Sequence, residues 1–95
     1  MSVLIIGADR IASLVPKMEA MGVSDITYWD ARRYKASRNI IPAQTDLVIF
    51  FTDYLHHSVA EKLKKQVKRC GLPVIYSRRS WSDVAPALQK KLSAQ

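Results

Sequence analysis

Apolar residues in this chain gather in four short runs, and longer segments of mixed polarity separate the runs. These runs do not alternate apolar with polar residues, as a strand with one face in water would. The runs are Val3–Ile6, Ile26–Trp29, Leu47–Phe51 and Pro73–Tyr76. Because strands covered on both faces are typical of parallel sheets between helices, we predict four parallel strands.

Three of the intervening segments show the spacing of amphipathic helices, with apolar residues three and four positions apart. The predicted helices are Ile11–Met21, Tyr54–Cys70 and Trp81–Leu92. Gly22 and Gly71 follow the first two helices as stop signals. Pro16 either lies in the first turn of a helix capped near Ser13 or kinks a longer helix.

The order of these elements predicts the fold. A basic segment, Asp30–Thr45, with a short helix possible at Ala31–Ala36, connects the second and third strands. Because crossovers between parallel strands are nearly always right-handed, the simplest sheet order is 2-1-3-4. We therefore predict an α/β fold, a small Rossmann-like three-layer sandwich with a four-stranded parallel sheet, and a single domain over residues 1–95.

Polar and charged residues follow every predicted strand. The carboxyl ends of parallel strands meet at one edge of a sheet, here called the carboxyl rim, where ligands of such folds usually bind. The ligand-binding candidates are Gly7, Asp9, Arg10, Arg32, Thr52, Asp53, His56, Ser77, Arg78, Arg79 and Ser80.

The 95 residues carry 15 lysines and arginines against 8 aspartates and glutamates, a net charge of +7. Most lysines lie on the predicted helices, which is the ordinary pattern of a soluble surface. Most arginines instead follow strands, namely Arg10, Arg32, Arg33, Arg78 and Arg79. Because the planar guanidinium suits phosphate and carboxylate, we predict an anionic, phosphate-bearing ligand at the carboxyl rim.

Within this interpretation each side chain has a role. Three arginines contact the anion: Arg10, Arg78 and Arg79. Three neighbours orient them: Asp9, Asp53 and Ser80. The alternative is a structural salt-bridge network, since an aspartate also follows three of the strands: Asp9, Asp30 and Asp53. The turn at Gly7 is neither a Walker nor a dinucleotide motif, so one glycine required by a tight turn explains it equally well.

Non-specific binding of nucleic acid is a second functional hypothesis, because a basic rim suits phosphate backbones. Aromatic rings available for stacking are Tyr28, Trp29, Tyr34, Tyr54 and Trp81, some of which must fill the core instead. The chain shows no helix-turn-helix, RRM or KH signature. We therefore expect such binding to depend on charge and shape.

A third hypothesis is haem or metal binding through His56 and His57. Adjacent histidines on a helix point about 100° apart, so they rarely share one ion within a chain. Asp53 and His56 would share a helix face and permit acid–base chemistry. The chain contains no nucleophile elbow, and we favour a binding module over an enzyme.

The remaining features concern compartment and assembly. No apolar run approaches the roughly 20 residues of a membrane span, and the beginning of the chain lacks the basic region of a signal peptide, so we expect a cytoplasmic protein. The single cysteine, Cys70, is expected to be a small core residue. A small sheet leaves two edges unpaired, and Val74, Ile75 and Tyr76 in the fourth strand predict a homodimer through that edge.

The four segments after the strands together resemble a known family. They are Gly7-Ala8-Asp9-Arg10, Asp30-Ala31-Arg32, Thr52-Asp53-Tyr54-Leu55-His56-His57 and Ser77-Arg78-Arg79-Ser80-Trp81. This combination looks like the bacterial domain of unknown function 2325 family. The resemblance implies a cytoplasmic α/β sandwich and no established chemistry. Ala8 stands where the family often has a second glycine, which weakens a tight phosphate cradle at this turn.

Overall fold

In the part of the chain that the structure describes, four parallel strands and three helices follow one another in the predicted order. The structure is a computed structural model that describes residues 1–7, 11–29, 41–53 and 57–93. The strands are β1 (Ser2–Ile6), β2 (Asp25–Trp29), β3 (Leu47–Phe51) and β4 (Val74–Ser77). The helices are α1 (Val15–Ala20), α2 (His57–Arg69) and α3 (Trp81–Ser93). One parallel sheet has the order β2-β1-β3-β4, which confirms the predicted α/β sandwich.

The two central strands are the most deeply buried, and β3 carries the longest apolar run. All of β3 is buried, and β1 is buried from Val3 onward. The edge strands are covered only in part, because the helix layers lie over the middle of the sheet. Asp25 in β2 and Tyr76 in β4 are exposed. The expectation that both strand faces are covered therefore holds for the centre of the sheet.

Side chains alternate between the faces of the sheet and form two cores. One core joins β1, β3 and β4 to α1 and α3 through Ile5, Ile49, Met18, Val84 and Leu88. The other joins β1 and β3 to α2 through Leu4, Ile6, Phe50, Leu63 and Val67. The sheet thus lies between two helix layers. None of the helices in the described part of the chain is long and apolar enough to cross a membrane.

The first helix is shorter than predicted and begins at Val15. Pro16 lies in its first turn, which confirms one of the two sequence interpretations. Proline is favoured there because its missing N–H would lack a helical partner in any case. The N-cap residue is Leu14, which directly follows Ser13, and it makes no side-chain capping bond.

Both α1 and α2 end in a Schellman motif, which a glycine with positive φ makes possible. After α2, Gly71 (φ 69°) donates its N–H to the Lys68 carbonyl, and Leu72 donates to the Val67 carbonyl. After α1, Gly22 (φ 104°) donates to Glu19 and Val23 donates to Met18. The residue after each glycine packs against the core.

This ending corrects the prediction for Cys70, which is exposed. Cys70 follows Val67 by three residues, so a continued helix would place both on one face. The helix ends at Arg69, and Leu72 packs against the same core as Val67 instead. The predicted start of α2 at Tyr54 lies outside the described residues.

We expect Gly22→Ala and Gly71→Ala each to lower the free energy of unfolding by about 1–2 kcal/mol, because alanine is strained at positive φ. A Cβ at either position meets nothing within 4 Å, so the loss comes from the backbone alone. Urea denaturation measures it. Gly71→Asn is the control and should lose less, since asparagine tolerates this conformation. Equal losses for asparagine and alanine at residue 71 would contradict the explanation.

Candidate functional site at the carboxyl rim

Hydrogen bonds just beyond the strands hold neighbouring strand ends together at the carboxyl rim. Gly7 donates its N–H to the Trp29 carbonyl at 3.1 Å. Thr52 donates its N–H to the Ser77 carbonyl at 2.9 Å. The parallel register therefore brings Gly7, Thr52 and Ser77 to one edge of the sheet, as the sequence predicts.

Gly7 itself has a structural role at this edge. It is buried, and its φ of 111° is one that residues with a Cβ rarely adopt. A glycine is therefore required for the chain to turn away from β1. Asp9 and Arg10, the predicted ligand contacts that follow, lie outside the described residues.

The loops after β3 and β4 form the part of the rim described in most detail. The Asp53 carboxylate Oδ1 accepts a hydrogen bond from the Arg79 main-chain N–H at 3.0 Å. The Thr52 hydroxyl donates to the Ser77 carbonyl at 3.4 Å. Asp53 therefore positions Arg79 through its main chain and ties the loop before α3 to the end of β3.

Ser80 lies where this loop enters α3. Its hydroxyl is 2.8 Å from the hydroxyl of Ser82, and its carbonyl accepts the N–H groups of Asp83 and Val84. These bonds start the helix at Trp81. The amino end of a 13-residue helix, which carries a partial positive charge, therefore lies at the carboxyl rim.

An open cleft of about 370 Å³ lies between the ends of β3 and β4. Its walls are Thr52, Tyr76, Ser77, Arg78 and Asp83. Arg78 is exposed, whereas Arg79 is half-buried. The cleft thus combines an exposed guanidinium with three hydroxyl-bearing residues, two aliphatic and one phenolic, and with one carboxylate.

Charge is distributed unevenly between the two ends of the sheet. At the amino end, Ser2 donates its N–H to Asp46 at 2.8 Å and its hydroxyl to Asp25 at 3.2 Å. At the carboxyl rim, the two described arginines, Arg78 and Arg79, are equal in number to the two described aspartates, Asp53 and Asp83. The surplus of arginine expected there belongs to Arg10, Arg32 and Arg33, which the sequence places after β1 and β2.

Arg32 and His56 lie outside the described residues, as does the side chain of His57. Within the described ranges no group of three or more histidine, cysteine, aspartate or glutamate residues forms a metal site. Binding of haem or metal through the two histidines stays a prediction.

The aromatic residues divide between core and surface. Trp29 is buried, while Tyr28 and Trp81 pack against the core. Tyr76, which the sequence predicts only as part of a dimer edge, has a side chain that is 55% exposed and lines the cleft. An amphipathic aromatic residue near the end of an edge strand is the signal that points to it.

One of the comparisons with known proteins found a match. The chain belongs to a bacterial family, because residues 2–91 match the family model described as an uncharacterized protein conserved in bacteria (DUF2325). No curated protein and no solved structure matches the chain. The resemblance seen in the sequence is therefore confirmed.

We expect Asp53→Ala to lower the free energy of unfolding by about 1 kcal/mol, because the Arg79 N–H loses its acceptor. Asp53→Asn keeps an oxygen at the same position and should retain most of that stability. Chemical denaturation of the three proteins measures the difference. A loss in Asp53→Asn as large as in Asp53→Ala would show that charge, rather than the hydrogen bond, matters at this position.

Proposed function

We propose that the protein is a ligand-binding module, a sensor or an adaptor, that holds a phosphate-bearing small molecule at the carboxyl rim. The observation that carries the proposal is the cleft between the ends of β3 and β4. It places the exposed Arg78 beside the hydroxyl-bearing Thr52 and Ser77.

Arg78 is the component of this cleft that suits a phosphate best, because a guanidinium donates parallel hydrogen bonds to two phosphate oxygens. The Thr52 and Ser77 hydroxyls donate to the Ser77 and Arg78 carbonyls at 3.4 and 2.9 Å, so each must rotate away from its carbonyl to donate to a phosphate. The amino end of α3 adds favourable electrostatics at the same rim. The Asp83 carboxylate also lines the cleft and opposes an anion, so Arg78 and the amino end of α3 must outweigh it.

The sequence extends this argument across the rim. Arg10 follows β1 by four residues, and Arg32 follows β2 by three. Both are predicted to supply further contacts to the ligand. A ligand bound by arginines that follow several strands would link the conformations of several loops. Binding of such a ligand could then change these loops together, as a sensor requires.

ADP serves as the probe, and we expect the protein to bind it. Arg78→Ala should weaken ADP binding about tenfold or more, because a charge-assisted hydrogen bond contributes about 1.5–3 kcal/mol. Isothermal titration calorimetry measures both affinities. Arg69→Ala is the matched control. Arg69 is an exposed arginine in the last turn of α2, at the end of that helix away from the rim. Absence of ADP and pyrophosphate binding, or equal loss in both variants, would contradict the proposal.

The dependence of affinity on salt separates a small ligand from nucleic acid, which the net charge of +7 also suits. A single-stranded oligonucleotide releases counterions along its length, so its affinity falls steeply with salt. We expect the affinity for ADP to change much less over the same range. Tighter binding of a thymidine oligonucleotide than of ADP, with a steep log–log slope, would support nucleic acid as the ligand.

A further inference from the structure

The outer edge of β4 presents main-chain groups that no described strand pairs. The Pro73 and Ser77 carbonyls accept hydrogen bonds from Val48 and Thr52 at 3.1 and 2.9 Å, so the odd-numbered residues of β4 face β3. Because main-chain direction alternates along a strand, Val74 and Tyr76 direct their N–H and C=O groups away from the sheet. The edge therefore offers two donors and two acceptors to an added strand.

Shallow grooves run along both sides of this edge, and lysines line both. The groove toward α2, about 310 Å³, is lined by Lys64, Lys65 and Lys68. The groove toward α3, about 300 Å³, is lined by Lys90 and Lys91. One acidic residue, Glu61, lines the first groove, with a carboxylate oxygen 3.7 Å from the Lys64 ammonium nitrogen. The edge is thus strongly basic on both faces.

Tyr76 lies at the centre of this edge and lines both grooves. Its ring stacks on Phe50, with centroids 5.4 Å apart and an interplanar angle of 17°. The Lys64 ammonium nitrogen lies over the ring, 5.3 Å from its centroid. Tyr76 is nevertheless 55% exposed, so a side chain of an added strand can pack beside its ring.

We propose that the β4 edge binds an extended acidic segment of another protein as a fifth strand. Main-chain hydrogen bonds to Val74 and Tyr76 supply part of the affinity, as in other cases of strand addition. Side chains of an extended segment alternate between its two faces, so acidic residues reach the lysines of both grooves. This surface shares Tyr76 with the cleft at the rim, but none of its lysines lines that cleft, so the proposal does not depend on a phosphate ligand.

A second copy of the chain, the occupant expected from the sequence, fits this edge less well. Pairing two β4 edges would bring the five groove lysines of each copy against those of the other. Like charges placed directly opposite one another are destabilising. An acidic segment turns the same charges into attraction, which is why the proposal commits to it.

The first test uses a short fluorescent peptide in which two consecutive glutamates alternate with two consecutive valines. Because neighbouring side chains of a strand point to opposite faces, this peptide presents acidic groups on both faces. We expect it to bind the intact chain in fluorescence anisotropy. Methylation of alternate main-chain nitrogens should weaken binding about tenfold or more, since it removes main-chain hydrogen bonds. A peptide with lysine in place of glutamate should not bind. Equal binding of the methylated peptide, or no binding of the acidic peptide, overturns the proposal.

The second test changes the protein at exposed or half-buried positions. The double variant Lys64→Glu/Lys90→Glu reverses one charge in each groove. We expect it to weaken binding of the peptide about tenfold or more. The matched control Lys17→Glu/Lys62→Glu changes net charge equally on α1 and α2 but outside the groove linings. We expect the control to lose much less affinity. Equal losses would mean that only net charge matters and would overturn the proposal.

Two further measurements identify other occupants. Sedimentation equilibrium that shows a dimer strengthened by Lys64→Glu/Lys90→Glu would assign the edge to a second copy. Displacement of the peptide by a thymidine oligonucleotide at lower concentration would assign the edge to nucleic acid.

Arg78→Ala should bind the peptide normally, and Lys64→Glu/Lys90→Glu should bind ADP normally. These two variants therefore distinguish failure at the β4 edge from failure of the function proposed for the rim.

Discussion

Burial of β1 and β3 on both faces is the constraint on which the rest of this structure depends. Their main-chain groups have no access to water and must pair with neighbouring strands. Parallel pairing requires crossovers, and the crossovers place α1 and α3 on one face and α2 on the other. The same geometry brings every strand's carboxyl end to one edge. The position of the candidate site is therefore a consequence of how the core is covered.

Much of the fold could be predicted because its strongest signals are local. The five apolar residues Leu47–Phe51 form a strand buried throughout, and Pro16 lies in the first turn of a helix. Cys70 shows where local periodicity fails. It occupies the correct position of an apolar stripe, but Gly71 ends the helix and directs Leu72 into the core. The hydrogen bonds of the Schellman motif end the helix before Cys70, and a pattern of apolar positions does not contain that information.

The site was less predictable than the fold, because topology determines which residues meet but not what they bind. Register alone places Thr52 beside Ser77. The partner of Asp53 depends on the path of the loop after β4, and that path presents the Arg79 main-chain N–H, where a guanidinium was expected. An aspartate in such a position both lowers the surplus of positive charge and fixes the loop. The binding and structural interpretations of the rim are thus compatible for this residue.

The β4 edge raises a different physical problem. An open strand edge with an exposed tyrosine invites pairing with other chains, which leads to aggregation. Lysines on both flanking helices oppose pairing between identical copies without covering the main-chain groups of Val74 and Tyr76. A neutral edge protected by proline or a bulge would prevent aggregation equally well but would exclude every partner. Protection by charge leaves the edge open to one class of strand, the acidic class. The same five lysines therefore oppose aggregation and select the partner.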